Sequence, residues 1–245
     1  MPQFGFDPIA TIETPFKERF GTPRQPALVP SSWGVIRLKP ESHLQGALEG
    51  LEGFSHIWLI FVFHQNANKA VRAKIHPPRM EGAKMGLFAT RTPHRPNPIG
   101  LSVVKLERIE GQTLYVSGVD LVDGTPILDI KPYLPSSDRV DLATAGWTGS
   151  KAERKLRVDF TERAMSDLDA KVGLDTSGRY RDAIQELLEL DPRPVFYKGT
   201  PEAPNPYTDR YGFRFEDLNV VYRMDGDVAT VVEIQDWAEF APSPG

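Results

Sequence analysis

LSVVKLERIEGQTLYVSGV, residues 101–119, decides the fold class. Leu101–Ile109 and Thr113–Val119 are two runs rich in valine, leucine, tyrosine and threonine, joined across Glu110-Gly111. A glycine at such a junction accepts the positive φ that tight hairpins demand, so the segment predicts antiparallel strands. Working outward, Ile57–Phe63 (IWLIFVF) is apolar on both alternating faces and predicts a strand buried on both sides. Ile9–Thr14 and Val35–Leu38 are earlier candidates, and Ile127–Ile130 follows an Asp123-Gly124 turn and should pair nearby. Gly46–Gly53 could hold only a short helix, because three glycines weaken it. Many short strands separated by turn signals fill the first 135 residues, the pattern of an all-β sandwich or barrel.

The composition changes after Ser136, where SSDRVDLATAGWTGSKAE is polar and poor in large aliphatics, as a linker would be. Lys155–Phe160 predicts a strand, and Thr161 an N-cap for a helix reaching Val172. A second helix from Ser177 places Tyr180, Ile184, Leu187 and Leu188 on one face. It must end by Asp191, since Pro192 and Pro194 follow. Phe213–Phe215, Asn219–Tyr222 and Val228–Ile234 alternate about an Asp225-Gly226 turn and predict a small sheet. The expected organisation is therefore a β domain over residues 1–150 and a smaller α+β domain over residues 151–245.

Several function classes lack their residues. Without cysteine there is no disulfide, thiolate zinc site or thiol nucleophile. Five histidines show no close metal-ligand spacing, so no metal is expected. No phosphate-binding G-x-x-x-x-G-K-[ST] loop and no G-x-G-x-x-G after a strand occurs, which argues against an NTPase or a Rossmann site. No apolar run approaches the roughly 18 residues a bilayer requires, and the start lacks a basic region followed by a hydrophobic stretch. A cytoplasmic protein without membrane contact is the expectation. Net charge is −4, yet Lys69–Arg95 holds seven bases against one acid, while residues 225–245 hold five acids and no base. One locally positive face follows, which either meets a nucleic acid or is simply solvated.

The densest chemistry lies in FATRTPHRPNPIGLS (Phe88–Ser102) and DLVDGTPILDIKPY (Asp120–Tyr133). Pro93, Pro96 and Pro98 fix φ and remove donors, so the loop carrying Arg91, Arg95 and Asn97 is stiff before anything binds. Such preorganisation suits recognition, though a rigid surface loop with paired arginines would read the same. Pro23-Arg24-Gln25-Pro26 has the same character, a planar guanidinium beside a carboxamide. His64-Gln65 ends the apolar strand, where a ligand or a satisfied structural histidine fits equally. His56 belongs to the core or the barrel rim. Asp123 serves either its turn or a site. Asp129 favours a site, because a strand offers its carboxylate no local backbone role.

Taken in order, PRQP at Pro23–Pro26, GLEGFSHIWLIFVFHQ at Gly50–Gln65, PPR at Pro77–Arg79, GLFATRTPHRPNPIGLS at Gly86–Ser102, DLVDGTPILDIKPYLP at Asp120–Pro135 and DPRPVFYKG at Asp191–Gly199 resemble the TsaA-like family over nearly the whole chain. The likeness is weakest in Ser136–Arg154 and Thr200–Tyr211. The resemblance implies a mainly β protein with an antiparallel β-barrel N-terminal domain, not Rossmann-like, that binds S-adenosylmethionine. It further implies a homodimer that methylates N6 of threonylcarbamoyladenosine beside the anticodon of tRNA, chiefly threonine tRNA. Donor contacts then fall on Pro23, Arg24, Gln25, Pro26, His64, Gln65, Arg91, Leu101, Leu121, Val122, Asp123 and Gly124. Contacts to the tRNA anticodon loop fall on Arg95, Lys131, Tyr133, Arg193, Tyr197 and Lys198. For methyl transfer to a weakly nucleophilic amine, a hydrogen-bond acceptor near the N–H helps, and Asp129 and Asn97 are the candidates. The competing readings are an RNA- or nucleotide-binding module without catalysis, and a hydrolase using Asp123 and Asp129.

Overall fold

The computed structural model describes residues 4–66, 71–77, 83–150, 155–193 and 210–240. Packing divides the chain into two compact units, Met1–Glu13 with Val35–Val116 and Gly124–Ala152, and Thr14–Gly34 with Ser117–Asp123 and Glu153–Gly245.

The first half of the chain forms β1 (Ala10–Glu13), β2 (Trp33–Leu38), β3 (His56–Val62), β4 (Lys74–Ile75), β5 (Met85–Gly86), β6 (Ile99–Glu110), β7 (Thr113–Ser117) and β8 (Thr125–Pro132). Six of these close into an antiparallel barrel in the order β1-β2-β7-β6-β3-β8, while β4 and β5 form a separate ribbon. The β6–β7 hairpin turns at Gly111, whose φ of 59° satisfies the demand read from the sequence. Ile12, Ile36, Ile57, Leu59, Val104, Leu114, Val116 and Ile127 are all buried, and their period of two fills the barrel interior.

Several expectations change here. In β3 only Ile57, Leu59 and Phe61 are buried; Trp58, Ile60 and Val62 face outward and are partly exposed. A barrel has one interior, so the second apolar face of IWLIFVF lies on the outside. β8 does not pair with the hairpin that precedes it but bridges β1 and β3, which closes the barrel. Gly46–Gly53 holds turns and a 3-10 turn at Leu51–Gly53 in place of an α-helix. The segment expected to be a linker carries a four-residue helical turn, α1 (Pro135–Asp138), and a 3-10 segment at Gly146–Ser150.

In the later part of the chain β9 (Arg157–Phe160) leads into α2 (Glu162–Val172) and α3 (Leu174–Glu189). Thr161 caps α2 as predicted, its Oγ1 accepting from the Ala164 N–H at 3.2 Å. α3 starts three residues before Ser177 and buries Ile184, Leu187 and Leu188. Strands β10 (Arg210–Phe215), β11 (Leu218–Asp225) and β12 (Val228–Asp236) are an antiparallel meander, and β9 joins β12 in parallel. A last helical turn, α4, spans Trp237–Phe240. Among the described residues no helix is long and apolar enough to cross a membrane.

Candidate active site

In the first unit the end of β3 is clasped to the proline-rich loop. The Phe63 N–H donates to the Pro98 carbonyl at 2.8 Å, and Asn66 Nδ2 donates to the Pro93 carbonyl at 2.6 Å. His64 and Gln65 lie between these two bonds, His64 exposed and Gln65 half-buried. Prolines cannot donate, so the loop offers carbonyls instead; that of Pro93 also accepts from the Arg95 N–H at 3.0 Å. Arg95 Nη1 donates to the Thr90 carbonyl at 2.9 Å, which fixes its half-buried guanidinium, whereas Arg91 and Asn97 are exposed. Asn66 escaped the sequence reading, although its signal was there: a carboxamide directly after His64-Gln65.

A second group of candidate residues lies on the outer face of the barrel. Leu101 on β6 and Asp129 on β8 flank Ile60 of β3, each directly opposite it. Leu101 is 55% exposed, a large apolar surface in water. Pairing skips Leu128, so β8 bulges there, and this turns Asp129 outward while Ile127 stays inside opposite Phe61. The bulge also overturns one premise. Asp129 Oδ1 accepts from the Ile130 N–H at 2.9 Å, so its carboxylate does have a local backbone role. Its Oδ2 pairs with Lys131 Nζ at 2.7 Å. Lys131 is opposite Trp58, and the Tyr133 ring lies 5.8 Å from that of Trp58 and 6.4 Å from that of His56. His56 itself is exposed at the start of β3, at the rim and not in the core.

In the second unit Pro23 is buried and Arg24 exposed, with Gln25 Nε2 donating to the Arg24 carbonyl at 2.6 Å. Ala27, which follows Pro26, has a φ of 61° and donates its N–H to the Gly118 carbonyl at 2.9 Å. That bond ties the 23–26 turn to the strand end that precedes Leu121. Leu121 is buried, and its carbonyl accepts from Thr14 Oγ1. Asp123 is a turn residue with a structural load: its Oδ1 accepts from the Thr14 N–H at 2.8 Å, and its Oδ2 pairs with Lys17 at 3.1 Å. The carboxylate nevertheless remains 30% exposed.

Arg193, also in the second unit, forms a two-pronged pair with Asp191 at 2.8 and 3.1 Å and lies over the Tyr211 ring at 5.3 Å. Burial lowers the guanidinium pKa, but the hydrogen bonds to Asp191 and Tyr211 and the Asp191 charge outweigh it and raise the value. Both partners are largely buried, 11% and 15% exposed, which pins the arginine fork. Tyr197 and Lys198 lie outside the described residues.

Comparison with known proteins supplies the family. The sequence model of the tRNA-methyltransferase O N-terminal domain matches residues 11–139, and that of the TrmO C-terminal domain matches residues 153–237. The tRNA (adenine(37)-N6)-methyltransferase of Escherichia coli (strain K12) is 39% identical over 232 residues, covering 91% of this chain and 94% of the relative. A Pseudomonas aeruginosa protein named "Putative S-adenosylmethionine-dependent methyltransferase RcsF" is 43% identical over 218 residues, covering 87% and 89%. A crystal structure of TrmO from Pseudomonas aeruginosa matches with a TM-score of 0.74 at 37% identity, covering 96% of this chain and 100% of that one. The chain belongs to the tRNA-methyltransferase O family, TrmO.

Proposed function

We propose that this chain is an S-adenosylmethionine-dependent methyltransferase that modifies N6 of adenosine 37 in tRNA. The observation that carries the reading is that a relative bearing that activity in its name aligns over 91% of the chain. The substrate is the threonylcarbamoylated adenosine, chiefly of threonine tRNA. The protein works as a cytoplasmic homodimer, and exposed Ile99 on the outer barrel face is apolar surface for a second copy to cover. Residues 1–150 bind the donor, and residues 151–245 form an α+β domain that carries the DPRP motif.

The donor supplies a methyl group already activated on a sulfonium. The residues assigned to it fit its parts. Arg24 and Arg91 are exposed guanidinium groups for the amino-acid carboxylate, Asp123 keeps an accessible carboxylate for the ammonium, and Gln65 offers a carboxamide for the adenine edge. Leu101 offers apolar surface, and Pro23, Pro26, His64, Leu121, Val122 and Gly124 are the remaining donor contacts. Because the transferred group is already activated, alignment contributes most of the acceleration, and the clasped proline loop is a stiff base for it.

N6 is a poor nucleophile, with its lone pair delocalised into the purine. Asp129 and Asn97 act on it by accepting a hydrogen bond from the N6–H, and Lys131 holds the Asp129 carboxylate in place from the same face. Lys131, Tyr133, Arg95, Arg193, Tyr197 and Lys198 contact the anticodon loop. The deciding experiment incubates pure protein with labelled donor and tRNA carrying or lacking threonylcarbamoyladenosine, then locates the label by nucleoside mass spectrometry. Label on N6 of the modified nucleoside is expected. No label on either tRNA, with tRNA still bound, would make the protein a binding module. In the same assay Asp129→Asn and Asn97→Ala should each lower single-turnover transfer by about a hundredfold and leave donor binding unchanged; unaltered rates would remove both side chains from the chemistry.

A further inference from the structure

Beside the proline loop the first unit holds an open, apolar groove of about 530 Å³ whose walls include Val71, Gly86, Leu87, Phe88 and Pro96. Its most exposed wall is braced. The Leu87 N–H donates to the Ala73 carbonyl at 2.9 Å, and Leu87 is buried, so the 3-10 turn Leu87–Ala89 directs Phe88 outward. Phe88 is 80% exposed, among the largest apolar exposures of the described residues. The turn is pinned from two sides: Trp147 Nε1 donates to the Ala89 carbonyl at 2.8 Å, and Thr90 Oγ1 donates to the Leu87 carbonyl at 2.8 Å. The Arg95 guanidinium lies 5.7 Å from the Phe88 ring centroid.

The described residues of this stretch carry charge of one sign. Arg72, Lys74, Lys84, Arg91 and Arg95 fall among the described residues of 71–95, and no acid does. Arg72, Lys74 and Lys84 are exposed, and Lys74 sits opposite Gly86 in the β4–β5 ribbon. A flat apolar wall with an aromatic ring, a guanidinium at the ring and cations on the rim matches an unstacked nucleobase with its flanking phosphates.

We propose that this groove receives a nucleobase of the anticodon loop, stacked on Phe88 next to the base being methylated, with Arg72, Lys74 and Lys84 on its phosphates. The proposal rests on the tRNA methyltransferase reading and adds a substrate-binding residue to it. The groove is lined by apolar side chains with little hydrogen-bonding capacity, so it holds a base by its face and tolerates any of the four. Its role is to keep the loop splayed.

The test uses the whole protein and an anticodon stem-loop RNA carrying 4-thiouridine in the loop. Irradiation should cross-link the tryptic peptide Met85–Arg91. Phe88→Ala should weaken stem-loop binding about tenfold, Phe88→Leu by a similar factor, and Phe88→Trp should restore it. Stabilisation by S-adenosylmethionine should be unchanged in all three. Dissociation constants within twofold of one another, or cross-links confined to other peptides, would overturn the assignment. Loss of donor stabilisation in Phe88→Ala would overturn it too, by giving the groove to the donor. The two readings separate cleanly. Failure of the unaltered protein to methylate any tRNA while binding still depends on Phe88 refutes the enzyme and keeps the base site; full transfer by Phe88→Ala with unchanged KM refutes the base site alone.

Discussion

Gly100→Ala tests the coupling between the barrel and the proline loop. Gly100 is buried in β6 directly opposite Phe61 of β3. An added Cβ would lie 2.9 Å from Phe61 Cδ2 and closer still to Cε2 and Cζ. The ring has little room to yield. Phe61 is only 5% exposed and packs edge-on against Phe63 at 5.2 Å, and the Phe63 N–H is itself bonded to Pro98. Overpacking of this kind costs about 1–3 kcal/mol, against which alanine recovers about 0.5–1 kcal/mol of the entropy that glycine loses in a strand. A net loss of about 1–2 kcal/mol follows.

Because the chain has two compact units, a single melting curve would mix their responses, and amide exchange read element by element is the better assay. Protection of the β3 and β6 amides should fall by roughly 5- to 30-fold, with β10–β12 unaffected. Phe61→Leu shortens the side chain that the new methyl strikes, so Gly100→Ala should cost far less in that background, a favourable coupling between neighbours. Equal or higher protection in Gly100→Ala, or strict additivity with Phe61→Leu, would refute the steric argument.

The remaining predictions are briefer. Asp123→Asn keeps an acceptor for the Thr14 N–H, so it should fold with near-normal stability while losing donor-induced stabilisation; Asp123→Ala should lose about 1–2 kcal/mol as well. If Asp123→Asn binds donor normally, the carboxylate is structural only. Thr161→Ala removes the α2 cap and should cost about 1 kcal/mol, read as faster exchange in the first turn of α2. Burial pushes the Tyr222 hydroxyl above the ordinary tyrosine range, and that hydroxyl has no hydrogen-bond partner among the described residues. Its neutral form therefore supports the fold fully below about pH 10 and progressively less above it, so Tyr222→Phe should flatten the alkaline decline of the second unit and add up to about 1 kcal/mol at neutral pH; an unchanged alkaline limb would exclude the residue. If Arg72, Lys74 and Lys84 meet phosphates, tRNA affinity should fall roughly 20- to 40-fold between 50 and 200 mM salt, and a flat response would remove that face from RNA docking.

Local patterns were legible where one interaction decides. The β6–β7 turn needed only a glycine, α2 only a capping threonine, and α3 only an apolar face and following prolines. The misreadings came from tertiary context. IWLIFVF looks doubly buried because hydrophobicity reports what a side chain would accept, whereas barrel closure decides which side has a core. The pairing of β8 with β1 depends on closure between segments more than a hundred residues apart, which adjacency along the chain does not encode. The Leu128 bulge is equally silent, yet it reverses which face Asp129 occupies relative to Ile127.

The same distinction applies to the site. Its candidate groups were picked out by a density of arginine, asparagine and proline, a pattern that a rigid surface loop with paired arginines shares. What converts that density into positioning is a set of bonds made by unremarked neighbours. The Phe63 N–H and the Asn66 amide fasten the loop at Pro98 and Pro93, and the Trp147 indole braces the turn that exposes Phe88. A transfer that depends on alignment more than on covalent help should be sensitive to these fastenings. Asn66→Ala removes the Pro93 bond while leaving His64, Gln65 and Asn97 intact, so it should lower the single-turnover rate with little change in the affinity for tRNA. Loss of tRNA binding with an unaltered transfer rate would show that the clasp serves docking and not alignment.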